Sequence, residues 1–354
     1  MPEWLKALSF SRLSIIYVEI VGIVIFAIWV PTTFLASATL TGTLDQNAIT
    51  GLIALAVVVP LAAGVFDLSV GYCLGATSIF CAWLLGNTSL NLVVVCLLSV
   101  VFAMVIGCIN GLVVVVFEID SFIGTLATGS LLGAAIIIIS GDRDLVTGFT
   151  PKFLDLGNAS VGHLTVPVFV WLGVAIVMWY ILGHTAKGRQ IHATGLAEVP
   201  ARLAGIRTNR IRFACLVVSA TISGVAGVLL TAVVSAGDPT VGPAYLIPAF
   251  AAAFLGATQF REHLFNAWGC VLAVILFGTI TVGLSLANAP LWMPEIFEGV
   301  VLIVALRLSS FQGRVRIRRP GRTHDIAPPT QPATASLEGE ALADQSLAPS
   351  VPGS

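Results

Sequence analysis

The feature that most constrains this chain is a series of long apolar runs that carry almost no charge. Between Leu13 and Asp142 there is no lysine or arginine. Only 10% of all residues are charged, whereas a soluble domain has about 25%. Runs of roughly 17–25 apolar residues are long enough to cross a bilayer. Such runs lie at 15–36, 47–65, 70–86, 91–117, 121–140, 166–183, 213–236, 243–258, 264–286 and 291–308.

These runs predict an all-α polytopic membrane protein with about ten transmembrane helices. The runs at 70–86 and 243–258 are short and rich in glycine or proline. Irregular backbone is tolerated at membrane depth only where protein or a water-filled cavity surrounds it. We therefore expect these two segments to be broken or partly re-entrant.

The basic residues predict the orientation, because cytoplasmic loops of membrane proteins are enriched in lysine and arginine. Ten crossings place Lys6, Arg12, the loop 184–212 and the basic end of the chain on one side. This arrangement is N-in and C-in. It makes 1–12 a cytoplasmic N-terminus and 13–308 the transmembrane domain, with the loop 141–165 outside. In 309–354, the basic stretch RVRIRRPGR suits anionic lipid, and the Pro-, Ala- and Ser-rich remainder is predicted to be a disordered cytoplasmic tail.

Motifs for chemistry on covalent bonds are absent from the sequence. It contains no GxxxxGK[ST], HExxH or GxSxG pattern, so a P-loop, a zincin site and a nucleophile elbow are not expected. The six cysteines lie singly within apolar runs and are interpreted as small hydrophobic residues. A net charge of −1 gives no basis for nucleic-acid binding. We predict no enzyme activity, no metal site and no cofactor bound by this chain, so that a partner or an ion must supply the energy for any uphill work.

The longest polar stretch is GRQIHATGLAEVPARLAGIRTNRIR, residues 188–212. Glu198 and Arg202 have the spacing of a favourable helical ion pair, and Pro200 fits a first helical turn. Gly205 is well placed to end that helix. The pattern predicts a short helix at about 198–204 near the membrane surface. The alternative is a solvated loop whose charges only set the topology.

This stretch resembles a signature of the ribose-type permease subunits of bacterial ATP-binding-cassette (ABC) importers. The segment GVFDLSVG, beginning at Gly64, and the segment GCINGLVVVVFEIDSFIGTLATGSLLGA, beginning at Gly107, resemble two further blocks of that family. The resemblance runs in order from roughly residue 47 to 308. Within it, Leu246 and Pro248 depart from the family pattern, which usually has acidic residues at these positions.

The resemblance implies that the loop 184–212 couples the chain to cytoplasmic ABC ATPase subunits, which would bind ATP and Mg²⁺. It also implies an extracytoplasmic sugar-binding protein, a second permease copy (the same chain or a paralogue), and a place in the bacterial cytoplasmic membrane. The expected substrate is a monosaccharide, ribose-like or a related polyol. The residues that would carry the coupling are Gly188, Arg189, Gly195, Glu198, Ala201, Arg202 and Gly205.

A second group of residues forms candidates for the translocation path or gate. Asp67 has three possible roles: a cap for the helix that follows it, a polar site on the sugar path, or a proton-coupling acid. Asn110 and Thr125 suit either the path or a hydrogen bond between helices. The candidates are Phe66, Asp67, Ser69, Asn110, Phe122 and Thr125.

Two other classes of function stay open at this point. An ion-coupled secondary transporter of a small polar solute would have buried charged groups and broken helices. A membrane-embedded enzyme would need clustered histidine, aspartate or serine residues at membrane depth, and the sequence shows no such cluster.

Overall fold

The structure is a computed structural model that describes residues 10–260, 264–290 and 292–317. The first half is helical: α1 (Phe10–Trp29), α2 (Pro31–Phe34), α3 (Ser37–Ala62), α4 (Val70–Asn87), α5 (Leu92–Gly111) with a π-helical turn (Leu112–Val116), and α6 (Ser121–Ser140). Next come α7 (Pro151–Asn158) and the antiparallel hairpin β1 (Ser160–Val161) and β2 (Leu164–Thr165). The remainder is α8 (Val166–His184), α9 (Ala186–Leu196), α10 (Glu198–Leu203), α11 (Thr208–Val234), a 3₁₀ turn (Gly242–Tyr245), α12 (Leu246–Gly256), α13 (Ala267–Leu286) and α14 (Trp292–Ile317).

Seven helices of the described residues are long and apolar enough to cross a membrane. They are α3, α4, α5 with its π-helical turn, α6, α8, α11 and α13. Shorter apolar helices occupy Ile15–Trp29 and Gly242–Gly256, and α14 carries charged residues among its apolar ones. The predicted helical, multi-pass membrane architecture is therefore confirmed, apart from the short β-hairpin, while the expected ten crossings are not.

The two segments predicted to be broken differ from each other. The segment 70–86 was predicted wrongly, because α4 is one continuous helix of 18 residues. Residues 242–256 change from a 3₁₀ turn into the short helix α12. Proline at the second position of this turn and at the third position of α12 costs no helical hydrogen bond, since the first N–H groups of a helix have no partner within it.

Helix α3 forms the centre of the bundle. Its residues from Gly51 to Ala62 are all buried, and α8, α11, α12 and α13 pack around it. A helix that is apolar on every side is expected at the core of a membrane bundle. The outer helices instead expose large apolar side chains, such as Leu131 (72% exposed) and Ile138 (81% exposed) on α6. Such a surface suits contact with lipid rather than water.

Glycines allow the helices to approach closely at the contacts that set the bundle. A Cβ atom on Gly51 of α3 would lie 2.2 Å from the ring of Trp171 on α8. A Cβ on Gly107 of α5 would lie 2.8 Å from the backbone of α11 at Val217. Small residues at these contacts are typical of membrane helices, which pack by close van der Waals contact.

Polar residues define where the helices begin. The Asn91 side chain accepts the N–H of Val93 at the start of α5, and the Asp120 carboxylate accepts the N–H groups of Phe122 and Ile123 at the start of α6. Thr150 caps α7 in the same way. These caps satisfy N–H groups that the helix itself leaves unpaired.

The chain divides into two units, Met1–Gly313 and Arg314–Ser354. Helix α14 continues to Ile317, past the end of the last apolar run at 308. The predicted disordered tail beyond 317 and most of the predicted cytoplasmic N-terminus lie outside the described residues.

Candidate functional site

The predicted short helix in the loop 184–212 is present as α10. It ends in a Schellman motif: Gly205 donates its N–H to the carbonyl of Arg202, and Ile206 donates to the carbonyl of Ala201. Gly205 has φ +83°, a left-handed conformation that glycine adopts without strain. The prediction that Gly205 terminates this helix is therefore confirmed.

Glu198 links α10 to the N-terminal part of α11. One carboxylate oxygen accepts from Arg202 at 2.6 Å, which confirms the predicted pair within α10. The other forms an ion pair with Arg212 of α11 at 2.8 Å. The pair with Arg212 links two elements, and it was missed because nothing in sequence spacing singles out one of several arginines in this loop.

Three apolar side chains of α9 and α10 are exposed. Leu196 is 65% exposed, Val199 68% and Leu203 85%. We call this group the 196–203 apolar surface. Basic residues adjoin it in the sequence, and Arg189 is also exposed. Large apolar side chains exposed on neighbouring short helices are a feature of protein interaction sites.

Gly195 brings α9 against the backbone at the end of α3. A Cβ atom on Gly195 would lie 2.3 Å from the carbonyl oxygen of Ala62 and 2.9 Å from the nitrogen of Gly64. Gly188 fills a similar position in the turn from α8 to α9, where a Cβ would lie 2.3 Å from the carbonyl oxygen of Ile181. Ala201 is also buried. Close packing thus explains Gly188 and Gly195 of the predicted coupling set, whereas the left-handed backbone explains Gly205.

The residues Ala63–Ser69, which we call the 63–69 connector, join α3 to α4 and carry a fully buried carboxylate. Asp67 accepts three hydrogen bonds: from the N–H of Ser69 at 3.1 Å, from the Ser69 hydroxyl at 2.7 Å and from the Ser219 hydroxyl of α11 at 2.9 Å. Asn110 of α5 donates to the Ser69 hydroxyl at 2.7 Å. Among the residues that the structure describes, no cation pairs with Asp67. We call these four residues the Asp67 network.

The Asp67 network explains how the chain tolerates this carboxylate. Burial raises the pKa of the Asp67 carboxyl, and the hydrogen bonds from Ser69 and Ser219 oppose that rise. Each hydrogen bond to a charged group contributes about 1.5–3 kcal/mol. Ser69 occupies the position directly before α4, so Asp67 supports the turn that enters the helix rather than capping its first turn. Asp67, Ser69 and Asn110 are each at most 1% exposed.

Helix α6 holds the same connector from another side. The Ser121 hydroxyl accepts the N–H of Phe66 at 3.2 Å, and the Thr125 hydroxyl accepts the N–H of Leu68 at 3.0 Å. Thr125 itself donates to the carbonyl of Ser121 at 2.7 Å and is fully buried. The connector thus has polar contacts to α5, α6 and α11 at once.

The two aromatic path candidates differ from the polar ones, because they are accessible. The Phe66 and Phe122 rings meet edge to face with centroids 6.4 Å apart, and Phe254 of α12 lies 6.4 Å from Phe66. Phe66 is 38% exposed and Phe122 50% exposed. An aromatic face of this kind can pack against the apolar face of a sugar ring.

A polar cavity of about 460 Å³ lies where the connector and the loop 184–212 meet. Carboxylates come from two sides, since Glu118 and Asp120 precede α6 and Glu198 begins α10, and Arg202 and Arg212 face them. The cavity therefore contains water-compatible groups next to the connector. Among the described residues, no cluster of histidine, cysteine, aspartate or glutamate could hold a metal ion.

One half-buried carboxylate was not predicted from the sequence. Glu19 of α1 accepts a hydrogen bond from the Thr279 hydroxyl of α13 at 2.7 Å, while its second oxygen has no partner in the described structure. Its position within an apolar run was the available signal, because intramembrane charge is costly and is rarely without a role.

The chain is similar to known proteins over most of its length. The family model described as "Branched-chain amino acid transport system / permease component" matches residues 39–306. The ribose import permease protein RbsC of Haemophilus influenzae is 28% identical over 279 residues, which cover 77% of this chain and 85% of that protein. The D-allose transport system permease protein AlsC of Escherichia coli is 27% identical over 302 residues, covering 85% and 92%. The L-arabinose ABC transporter permease protein AraH of Azospirillum brasilense is 27% identical over 308 residues, covering 86% and 89%. No solved structure matches the chain.

Proposed function

Because this chain belongs to the permease-component family whose model spans residues 39–306, we propose that it is the membrane-spanning subunit of an ABC importer for a monosaccharide or a related polyol. The family description names branched-chain amino acids, but the similar proteins given above are permeases for ribose, allose and arabinose. Their agreement on sugars supports a sugar as the substrate. The chain is a transport permease of a multi-pass membrane type rather than an enzyme.

The 196–203 apolar surface is the observation that supports an ATPase partner. Leu203 is 85% exposed on a helix that a Schellman motif terminates and an ion pair to Arg212 fixes. An ordered helix that exposes apolar side chains is suited to enter a groove on another protein. We assign this surface to cytoplasmic ABC ATPase subunits, in which ATP and Mg²⁺ are bound.

Two contacts connect that surface with the interior of the bundle. Glu198 pairs with Arg212 at the start of α11, and two turns further on Ser219 of α11 donates to Asp67. Gly195 of α9 lies against the backbone of Ala62 and Gly64. A displacement of α10 by the ATPase would therefore reach the 63–69 connector by both routes and shift Phe66 beside Phe122.

The remaining parts of the proposal follow the charge distribution. Helix α1, the 3₁₀ turn with α12, and α14 are three further crossings beside the seven long helices, which gives ten crossings with both termini in the cytoplasm. The loop 141–165, with α7 and the β-hairpin, then lies outside and receives the sugar-binding protein. A second permease copy completes the path. Alkaline phosphatase fused after Gly162 is expected to be active, and the same fusion after Gly205 inactive.

The decisive experiment is capture of the ATPase by two matched variants. Val199 on α10 and Val146 in the loop 141–165 are 68% and 61% exposed, so replacing either with glutamate leaves the core intact. Val199→Glu is expected to weaken capture of the host ATPase by detergent-purified permease at least about thirtyfold, the effect of losing one interface hot spot. Val146→Glu is expected to bind like wild type. If both variants capture the ATPase equally well, the docking assignment is wrong, and if wild type captures none, the importer proposal fails.

A further inference from the structure

A groove between α8 and α11 has the form of a binding site for one lipid chain. Its volume is about 650 Å³. Val59 of the central helix α3 forms its floor, and Lys187, Gln190 and Ile191 of α9 close one end. The two walls are apolar and consist of Met178, Ile181 and Leu182 on α8 and of Ile211, Ala214, Cys215 and Val218 on α11.

The closed end of the groove carries three positive charges. They belong to Lys187, Arg207 and Arg210. Both ion pairs found within the described residues use Glu198, and neither involves these three cations. No acidic residue of the described chain lines the groove. The positive charge at this end is therefore available to an anion.

The length of the groove matches one leaflet of a bilayer. From Thr208 to Val218, α11 rises about 15 Å, at 1.5 Å per residue. Half of a hydrocarbon core of about 30 Å is also about 15 Å. Ile181 and Val218 remain 39% and 45% exposed along this length. The apolar part of the groove is therefore about as long as the acyl-chain region of one leaflet, and its cationic end lies where a lipid headgroup would be.

We propose that this groove binds an anionic phospholipid, with its phosphate between Lys187, Arg207 and Arg210 and an acyl chain along Val59 and Val218. The assignment rests on the proposed cytoplasmic position of the loop 184–212. Basic pockets between transmembrane helices on this side of the membrane suit anionic headgroups. A soluble phosphate would use the cations but would leave the apolar walls uncovered.

The proposal is tested by native mass spectrometry of the detergent-purified chain, titrated with dioleoyl phosphatidylglycerol, dioleoyl phosphatidylcholine or inorganic phosphate. Wild type is expected to retain phosphatidylglycerol at one high-affinity site. The triple variant Lys187→Gln/Arg207→Gln/Arg210→Gln is expected to lose about fivefold in affinity per cation, and about a hundredfold in total.

Two further variants separate this site from general charge effects. Arg143→Gln/Lys152→Gln removes two charges outside the groove and is expected to bind phosphatidylglycerol like wild type. Val218→Trp keeps every charge but places a large ring in the groove between its apolar walls, and it is expected to displace the lipid.

The other outcomes overturn the proposal. Equal binding of phosphatidylcholine would mean that the cations do not select the ligand. Binding of inorganic phosphate that is insensitive to Val218→Trp would indicate a soluble anion. If wild type is a dimer in the mass spectra and the groove variants are monomers, the groove is a protein interface instead.

The same variants also keep this proposal distinct from the proposed function. Groove variants should lose phosphatidylglycerol but still capture the ATPase, whereas Val199→Glu should lose the ATPase but keep the lipid. Loss of both in the same variant would contradict a separate lipid site.

Discussion

Replacement of Gly195 by alanine tests whether contact between α9 and the 63–69 connector links the loop 184–212 to the bundle. A Cβ atom there would lie 2.3 Å from the carbonyl oxygen of Ala62, whereas such carbon–oxygen contacts are normally about 3.3–3.6 Å. The two backbones must therefore separate by about 1 Å. Overpacking of this kind costs about 1–3 kcal/mol, and the better helix propensity of alanine returns at most about 1 kcal/mol.

We expect Gly195→Ala to lower the free energy of unfolding moderately and to impair transport more than assembly. The 196–203 apolar surface keeps its side chains, so ATPase capture should stay near the wild-type level. Import of labelled ribose, allose and arabinose into proteoliposomes with the ATPase and binding protein should fall, because movement of α9 no longer reaches Ala62 and Gly64 directly. Thermal unfolding of the purified chain measures the loss of folding stability separately from the loss of transport.

Gly173→Ala is the matched control, since a Cβ atom at this helical position on α8 meets nothing within 4 Å. It should unfold and transport like wild type or be slightly more stable. Sugar import by Gly195→Ala at the wild-type rate, together with unchanged stability, would show that the backbone contact transmits nothing.

Substitutions at three further positions test individual contacts. Asp67→Ala leaves the buried donors of Ser69 and Ser219 unpaired, which costs about 1–3 kcal/mol for each donor. Chemical denaturation should therefore show a lower free energy of unfolding for this variant. Asp67→Asn should cost less, because one oxygen acceptor remains. Gly205→Ala forces alanine into a left-handed conformation without a steric clash, at a cost of about 1 kcal/mol. The end of α10 should then fray, and capture of the ATPase should weaken. An unchanged affinity for the ATPase would contradict the role of the Schellman motif. Gly51→Ala would place a Cβ 2.2 Å from the Trp171 ring, so an unchanged thermal midpoint would disprove the close packing of α3 and α8.

Short sequence patterns predicted the helices that are determined by interactions between neighbours in the chain. Runs of apolar residues indicated the membrane helices, and Glu198, Arg202 and Gly205 indicated α10, because an ion pair at i, i+4 and a terminating glycine involve neighbours in the chain. The number of crossings was harder to predict. An apolar run shows that a segment avoids water, but it does not distinguish a full crossing from a shorter helix such as α12.

Composition and spacing alone determined that this chain lies in a membrane as helices and that Asp67 must be satisfied in some way, since charge in hydrocarbon is costly wherever it occurs. Only the tertiary structure decided what satisfies it. Ser219 lies 152 positions further along the chain, and only the packing of α11 beside the 63–69 connector brings its hydroxyl to the carboxylate. The ion pair of Glu198 with Arg212 depends on packing in the same way, because the two charged groups come within 2.8 Å only where α10 lies beside α11.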